Sequence, residues 1–547
     1  MIRNIIAITL ALVIAGCSSS RITKSDIRHA QKIFGIAFTA DQVKTMKDYL
    51  NRNLEGFDSM RADPVGYGVV PAMILDVFPY GFEIPTQGPS SSFEFKQEVP
   101  LPDDLNDLAY YSVADLSVLI KSKKITSLAL TELFIDRIKK YDKQLEAVIT
   151  LTEERALEQA RKMDEELAQG KYRGPLHGIP YGTKDLMAVK GYPTTWGAAP
   201  YKDQMIDETA TVIKKLDESG AVLIAKLVSG ALARGDVWFG GKTKNPWDLE
   251  QGASGSSAGS GSATSAGLVP FSLGTETLGS ITSPSTRNGI TGLRPTYGSV
   301  SRTGVMSLSW SMDKIGPMGR TAQDCAIIYD AIRGLDQQDP MSTEAPFTYV
   351  NGMDFKSLKV GYFKNLFDED TTDTGDNNRI MLEAIRKMGI ELIEAEMPKS
   401  LSRKAYDVIL RAEAGAFFDE LVLTGGDKFM VQQESFSRAN SLRQSRFIPA
   451  VEYIQANRHR RLLIEDFHQV ISQYDVILTP TFGGSQLGVT NLTGHPVLAI
   501  PSGFDETNHP TSISILGNLF DEEKILLLGD AIQQQTDHHL KHPPGFE

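Results

Sequence analysis

The sequence predicts an α/β fold in which a sheet is covered by helices on both faces. Two observations carry this. Short apolar, β-rich runs recur at residues 147–151, 222–225, 269–273, 358–362, 476–478 and 497–500, most of them bounded by Gly or Pro. Helical stretches alternate with them, as in a sheet whose two faces are both buried. A third observation sets the scale: 547 residues, 41% of them hydrophobic, suffice for a large core, so whole-chain disorder is excluded.

The elements follow in chain order. Residues 1–16 read as a signal peptide, with one cation, Arg3, then an apolar run at 5–14 and small residues before Cys17. That run would span about 15 Å as a helix, half a bilayer, which suits a cleaved signal better than a permanent anchor. Ile14-Ala15-Gly16-Cys17 resembles the bacterial lipobox, which implies cleavage before Cys17 and acylation there. Ser18 after the Cys resembles the pattern sent to the outer membrane, so the expected location is the cell envelope, lipid-anchored and facing the periplasm. No later stretch is long and apolar enough to span a bilayer.

Residues 17–104 are expected to form a mostly helical N-terminal extension and a linker. Thr39 and Gln42 have capping-box spacing at the head of a helix near residues 39–50. Four Pro and the run Pro89-Ser90-Ser91-Ser92 break any regular element over residues 85–104. The main domain then covers residues 105–547. It opens with a helix over residues 127–141 that places Leu130, Leu133, Phe134, Ile138 and Tyr141 on one face. The Gly/Ser-dense tract at residues 252–267 reads as a loop entering a helix.

Composition narrows the function. Lys and Arg number 56 against 68 Asp and Glu, a net charge of −12, which disfavours nucleic acid and anionic lipid as general partners. Cys17 and Cys325 cannot form a disulfide framework, and Cys325 reads as a buried unpaired thiol. The tail Asp537-His538-His539 with His542 reads as a frayed, solvated terminus and not as a cation site.

Three strings carry chemistry: GIPYGTKDL with Lys184, GASGSSAGSGSATSAGL with Ser256 and Ser257, and LGTETLGSITSPS with Ser280. A phosphate cradle is disfavoured because no Lys follows the Gly/Ser tract. A nucleophile elbow would centre on Ser257 in Gly255-Ser256-Ser257-Ala258-Gly259, with His495 as the best-placed base. The third reading joins all three strings. Gly178-Ile179-Pro180 precedes Lys184-Asp185, Ser256 lies in the tract, and Ser280 follows it by 24 residues within Gly274-Thr275 to Ile281. With NPWD, GLRPTYG and DKIGPMGRT nearby, these strings resemble the amidase signature family from about residue 112 to 536.

The resemblance implies a single large domain on a mixed central β-sheet and an amide hydrolase that uses no metal or organic cofactor. It assigns Ser280 as nucleophile, Ser256, after a cis peptide bond to Gly255, as proton relay, and Lys184 as base. Backbone N–H groups of Thr277, Leu278, Gly279 and Ser280 would hold the oxyanion. A lysine serves as base only when neutral, which burial among uncharged groups achieves; Asp185 would oppose this if it faced the amine. The chain departs from many members in three places: Leu278 replaces a Gly, Thr282 replaces an Arg, and Ala258-Gly259 replaces Gly-Gly. An esterase with the same triad and a non-catalytic envelope lipoprotein on this scaffold are the alternatives. The substrate is a small-molecule or peptide amide, with peptide C-terminal amides, acylated amines and aryl amides all open. Oligomeric state is not legible.

Overall fold

Two amphipathic helices begin the described chain. In the computed structural model, residues 22–62, 66–69, 76–86, 88, 90–350, 354–399 and 403–547 are described, so the expected signal peptide and Cys17 lie outside them. The contacts divide the chain into Met1–Val69 and Val70–Glu547. In the first unit, helix Lys24–Phe34 is capped by Thr23 and Asp26 and ends at Gly35, whose φ of 64° a side chain would disfavour. Helix Ala40–Ala62 starts where expected, with Thr39 and Gln42 each donating its backbone N–H to the other's side-chain oxygen, and runs twelve residues further than its predicted end near residue 50.

The second unit is built on an eleven-stranded mixed sheet. Its strands are β1 Val148–Leu151, β2 Pro180–Lys184, β3 Val222–Leu227, β4 Ser272–Glu276, β5 Thr291–Arg294, β6 Lys314–Gly319, β7 Val360–Tyr362, β8 Leu392–Glu394, β9 Val476–Pro480, β10 Val497–Phe504 and β11 Pro510–Gly517. Their spatial order is β1-β3-β2-β4-β6-β5-β10-β11-β9-β7-β8. β2 runs parallel to both its neighbours, β3 and β4, whereas β4 and β6 are antiparallel. One hydrophobic cluster packs Leu130, Phe134 and Ile138 of helix Ser127–Leu145 with strand residues such as Leu223 and Leu273; a second centres on Phe467 and Ile477.

Two sequence expectations shift. The apolar run at residues 269–273 is mostly a buried bend, because Pro270 has no N–H for a ladder, and β4 begins only at Ser272. The described residues of 85–104, expected as linker, carry no helix but pack on the sheet domain: Ser92 N–H donates to Tyr349 O at 2.8 Å, and Val99 is buried. Just before them, Phe78 and Phe82 stack together and against Phe520.

The Gly/Ser tract forms helix Ala258–Ser265, and all eight of its residues are buried. Small side chains are what allow a helix to sit so close to its neighbours. A Cβ on Gly259 would lie 2.2 Å from Ala147 O and 2.3 Å from Val228 N, backbone atoms that cannot yield. Ala258, by contrast, is tolerated where a second Gly was expected. Gly259→Ala should therefore destabilise the protein by at least about 2 kcal/mol, read as a lowered denaturant midpoint, whereas Ala258→Gly should cost under about 1 kcal/mol.

Candidate active site

Strand β2 is buried along its whole length and ends at Lys184, so the side chain is delivered at the strand's C-terminal edge, beside the end of β4. The Lys184 amine is fully buried. It donates to Ser256 Oγ at 2.8 Å, Thr275 Oγ1 at 2.9 Å, Ser257 Oγ at 3.1 Å and Thr275 O at 3.5 Å. Every contact is neutral. Desolvation lowers its pKa to about 7, against the weaker pull of Asp313 and Glu276. Asp185 does not face the amine: its carboxylate pairs with buried Lys226 at 2.6 Å and accepts from Thr195 N and Oγ1 at 2.8 and 2.5 Å.

The Gly255–Ser256 peptide bond is cis. Ser256 is 1% exposed, and its carbonyl accepts from Gly230 N–H at 3.1 Å. Ser257 stands at the N-cap of helix Ala258–Ser265 yet makes no side-chain cap. Its hydroxyl instead donates to Ser280 O at 2.5 Å and its N–H to the same oxygen at 3.3 Å, which ties the third string to the second.

The loop from β4 to helix Thr282–Asn288 is shaped by one carboxylate. Glu276, fully buried, accepts from Ile281 N, Thr282 N and Thr282 Oγ1 at 2.9, 3.0 and 3.1 Å, and from Arg294 Nη1 and Asn491 Nδ2 at 2.8 Å each. Burial alone would raise its pKa; Arg294 and these hydrogen bonds bring it down to about 2. Thr282 thus supplies a second bond to the carboxylate where an Arg was expected. Thr277 Oγ1 donates to Asp313 at 2.5 Å, pinning the other end. Held this way, the backbone N–H groups of Thr277, Leu278, Gly279 and Ser280 have no protein acceptor among the described residues. Gly279, at φ 87°, makes the turn that a side chain would disfavour. Ser280 is 9% exposed, and its hydroxyl makes no hydrogen bond among the described residues, including none to Ser256.

Of the expected site residues, Lys184 and Ser256 are hydrogen-bonded, and Ser280 is clamped to the same tract through its carbonyl. The elbow alternative fails on geometry: Ser257 meets Lys184, while His495 is buried, with Nδ1 2.8 Å from Thr493 Oγ1 and its pKa lowered to about 3 by desolvation. Sequence reasoning assigned no role to Thr275, Glu276, Arg294 or Asp313. All four lie in strings that carry the resemblance, Thr275 and Glu276 in LGTETLGSITSPS, Arg294 in GLRPTYG and Asp313 at the head of DKIGPMGRT, but no string says which side chain each would meet. Cys325 is buried and free, its thiol pushed up by desolvation.

The tail corrects an expectation. It is docked and not frayed: Phe546 is 2% exposed, its carbonyl accepts from Arg137 Nη2 and Tyr110 OH, and His542 stacks on Tyr110. The physical reason is the buried Arg137 guanidinium, whose N–H groups take backbone carbonyls of the tail and of Ala266 and Gly267 as partners.

A buried lysine hydrogen-bonded to a serine, beside a turn of unpaired backbone donors, on a mixed α/β sheet, defines a hydrolase site of the amidase kind. The amidase family profile matches residues 129–488, and the chain belongs to that family, whose members act on C–N bonds. It is 32% identical over 483 residues to one of the subunits of the glutamyl-tRNA(Gln) amidotransferase from Thioalkalivibrio sulfidiphilus (strain HL-EbGR7), covering 80% of this chain and 99% of that one. Among solved structures, the peptide amidase of Stenotrophomonas maltophilia superposes with a TM-score of 0.72 at 26% identity, over 81% of this chain and all of the other. A bacterial aryl acylamidase of the amidase signature family shares the fold, with a TM-score of 0.69 at 21% identity over 79% of this chain and 99% of its own.

Removing one partner of the buried Glu276–Arg294 pair leaves an uncompensated ion. Glu276→Gln should lower stability by about 3–5 kcal/mol in chemical denaturation, with loss of activity, because the turn bearing Ser280 loses its anchor.

Proposed function

We propose that this chain is a stand-alone amide hydrolase in which Ser280 is the nucleophile, Ser256 the relay and Lys184 the base. The observation that carries the reading is the buried, charge-free setting of the Lys184 amine, whose pKa of about 7 leaves much of it unprotonated near neutrality. The neutral amine takes the proton of Ser256, and Ser256 takes that of Ser280 as Ser280 Oγ bonds to the amide carbon. Oxygen charge developing on that carbon is met by the unpaired N–H groups of Thr277, Leu278, Gly279 and Ser280. The proton returns through Ser256 to the leaving nitrogen, the C–N bond breaks, and water cleaves the acyl-Ser280 ester. The separation of Ser256 and Ser280 hydroxyls closes on substrate binding, since catalytic hydrogen bonds commonly tighten only in the complex.

In the same proposal Cys17 is lipidated and holds the enzyme in the cell envelope, a reading supported by the N-terminal string alone. The name of the relatives favours a second reading, one component of a glutamyl-tRNA(Gln) amidotransferase. Amide hydrolysis by the purified chain by itself favours the first; activity only with an added partner protein favours the second.

Mass spectrometry after exposure to phenylmethylsulfonyl fluoride tests the nucleophile. A single adduct should map to Ser280 and vanish in Ser280→Ala; an adduct on Ser257 would overturn the assignment. Lys184→Ala should cut kcat/KM by about 10²–10⁴-fold with the fold retained.

Because the active amine is the unprotonated one, lowering pH through the Lys184 pKa removes the base. The profile of kcat/KM should fall about tenfold per pH unit below pH 7 and level off above pH 8. A profile flat from pH 5 to 9 would exclude Lys184 as the titrating base.

A further inference from the structure

An apolar cavity of about 350 Å³ opens beside the turn that carries Ser280. Leu278, Met312, Leu410, Phe482, Leu487 and Val489 are among its walls. Leu278 belongs to the turn itself, one of the residues whose N–H groups face no protein acceptor among the described residues. Leu487 rests against the same turn: a Cβ on Gly279 would sit 3.2 Å from its Cδ2. The carboxylate on this wall, Asp407, is paired with Arg411 at 3.4 Å, so the cavity is not an uncompensated cation trap.

We infer that this cavity receives the acyl group of the substrate, and that the substrate is an amide of an apolar carboxylic acid. The inference rests on the Ser280–Ser256–Lys184 reading. Within that reading the leaving nitrogen must face Ser256, which returns its proton. Ser256 has its hydroxyl on the Lys184 amine and its carbonyl held by Gly230 N–H, and the preceding Gly255 abuts Gly235 O. Neither Gly230 nor Gly235 lines the cavity. The acyl side of the scissile bond therefore points the other way, across Leu278. At about 30 Å³ per water, the space corresponds to roughly a dozen waters, enough for an acyl group of about ten non-hydrogen atoms. The Leu that replaces a Gly in the oxyanion turn thus becomes part of the pocket wall, a specificity-determining side chain.

Alkyl fluorophosphonates separate this inference from the reading beneath it. Ser280 Oγ bonds to phosphorus, the P–F bond breaks, fluoride leaves, and the hydroxyl proton passes through Ser256 to Lys184; the phosphorus-bound alkyl chain takes the acyl position. The labelling rate of Ser280, followed by intact-protein mass spectrometry, should rise about fourfold per methylene from methyl to hexyl. Leu410→Trp, or Leu410→Phe where the larger ring impairs folding, should flatten that slope by filling the cavity.

Equal rates along the series with the label on Ser280 would overturn the acyl assignment and leave the nucleophile standing. A slope that follows the amine chain in N-alkylacetamide hydrolysis, and not the phosphonate chain, would move the cavity to the leaving side and overturn it as well. A slope unchanged in both folded Leu410 variants would do the same. No label on Ser280 in folded protein would sink the triad reading, and the acyl assignment with it.

Discussion

Everything in this site depends on a lysine amine buried without a carboxylate. An ammonium in that position would be costly to desolvate, and the Lys184 surroundings offer it hydroxyls and one carbonyl but no counter-ion. The neighbouring charges are each satisfied elsewhere. Asp185, adjacent in the chain, spends its carboxylate on Lys226 and Thr195; Glu276 spends its own on Arg294, Asn491 and the Ser280 turn. Alternation along β2 makes the first separation possible, because successive side chains at a strand end point to opposite faces. Lys184 and Asp185 are thus sequence neighbours in different electrostatic surroundings.

The hydroxyls around the amine also serve as mechanical ties. Ser257 touches Lys184 and clamps the Ser280 carbonyl, so the Lys184 amine, the Gly/Ser tract and the Ser280 turn form one hydrogen-bonded unit. The turn is held from both ends, by Thr277 on Asp313 and by Ile281 and Thr282 on Glu276. Its backbone donors can remain unpaired at the cavity wall because these anchors leave the turn no freedom to satisfy them internally. Preorganised donors of this kind stabilise developing charge without having to reorient during the reaction.

Much of the site was legible because it is written in contiguous strings. Lys184, Ser256 and Ser280 stand out from the spacing of Gly-Ile-Pro, the Gly/Ser tract and Gly-Thr-x-x-x-Gly-Ser-Ile, and the helix at Ser127–Leu145 is plain from its apolar face. Strands β2 and β6 leave no such mark, since Gly182, Thr183 and Lys184, or Lys314 and Gly316, interrupt any apolar run. They are strands because both faces are covered, and burial of such residues is decided by neighbours remote in sequence. The same holds for β3, which continues through Lys226 only because Asp185 waits beside it.

What the sequence alone determined is the family, the chemical kind of site and the three strings that carry Lys184, Ser256 and Ser280, because short motifs encode local backbone shape and side-chain type. Tertiary structure decided what no string contains: which carboxylates stay away from the Lys184 amine, which serine clamps and which is paired with the base, and where the apolar cavity meets the Ser280 turn. Those outcomes depend on distances between segments such as residues 184, 256, 276, 294 and 487, and such distances exist only once the sheet has brought the segments together.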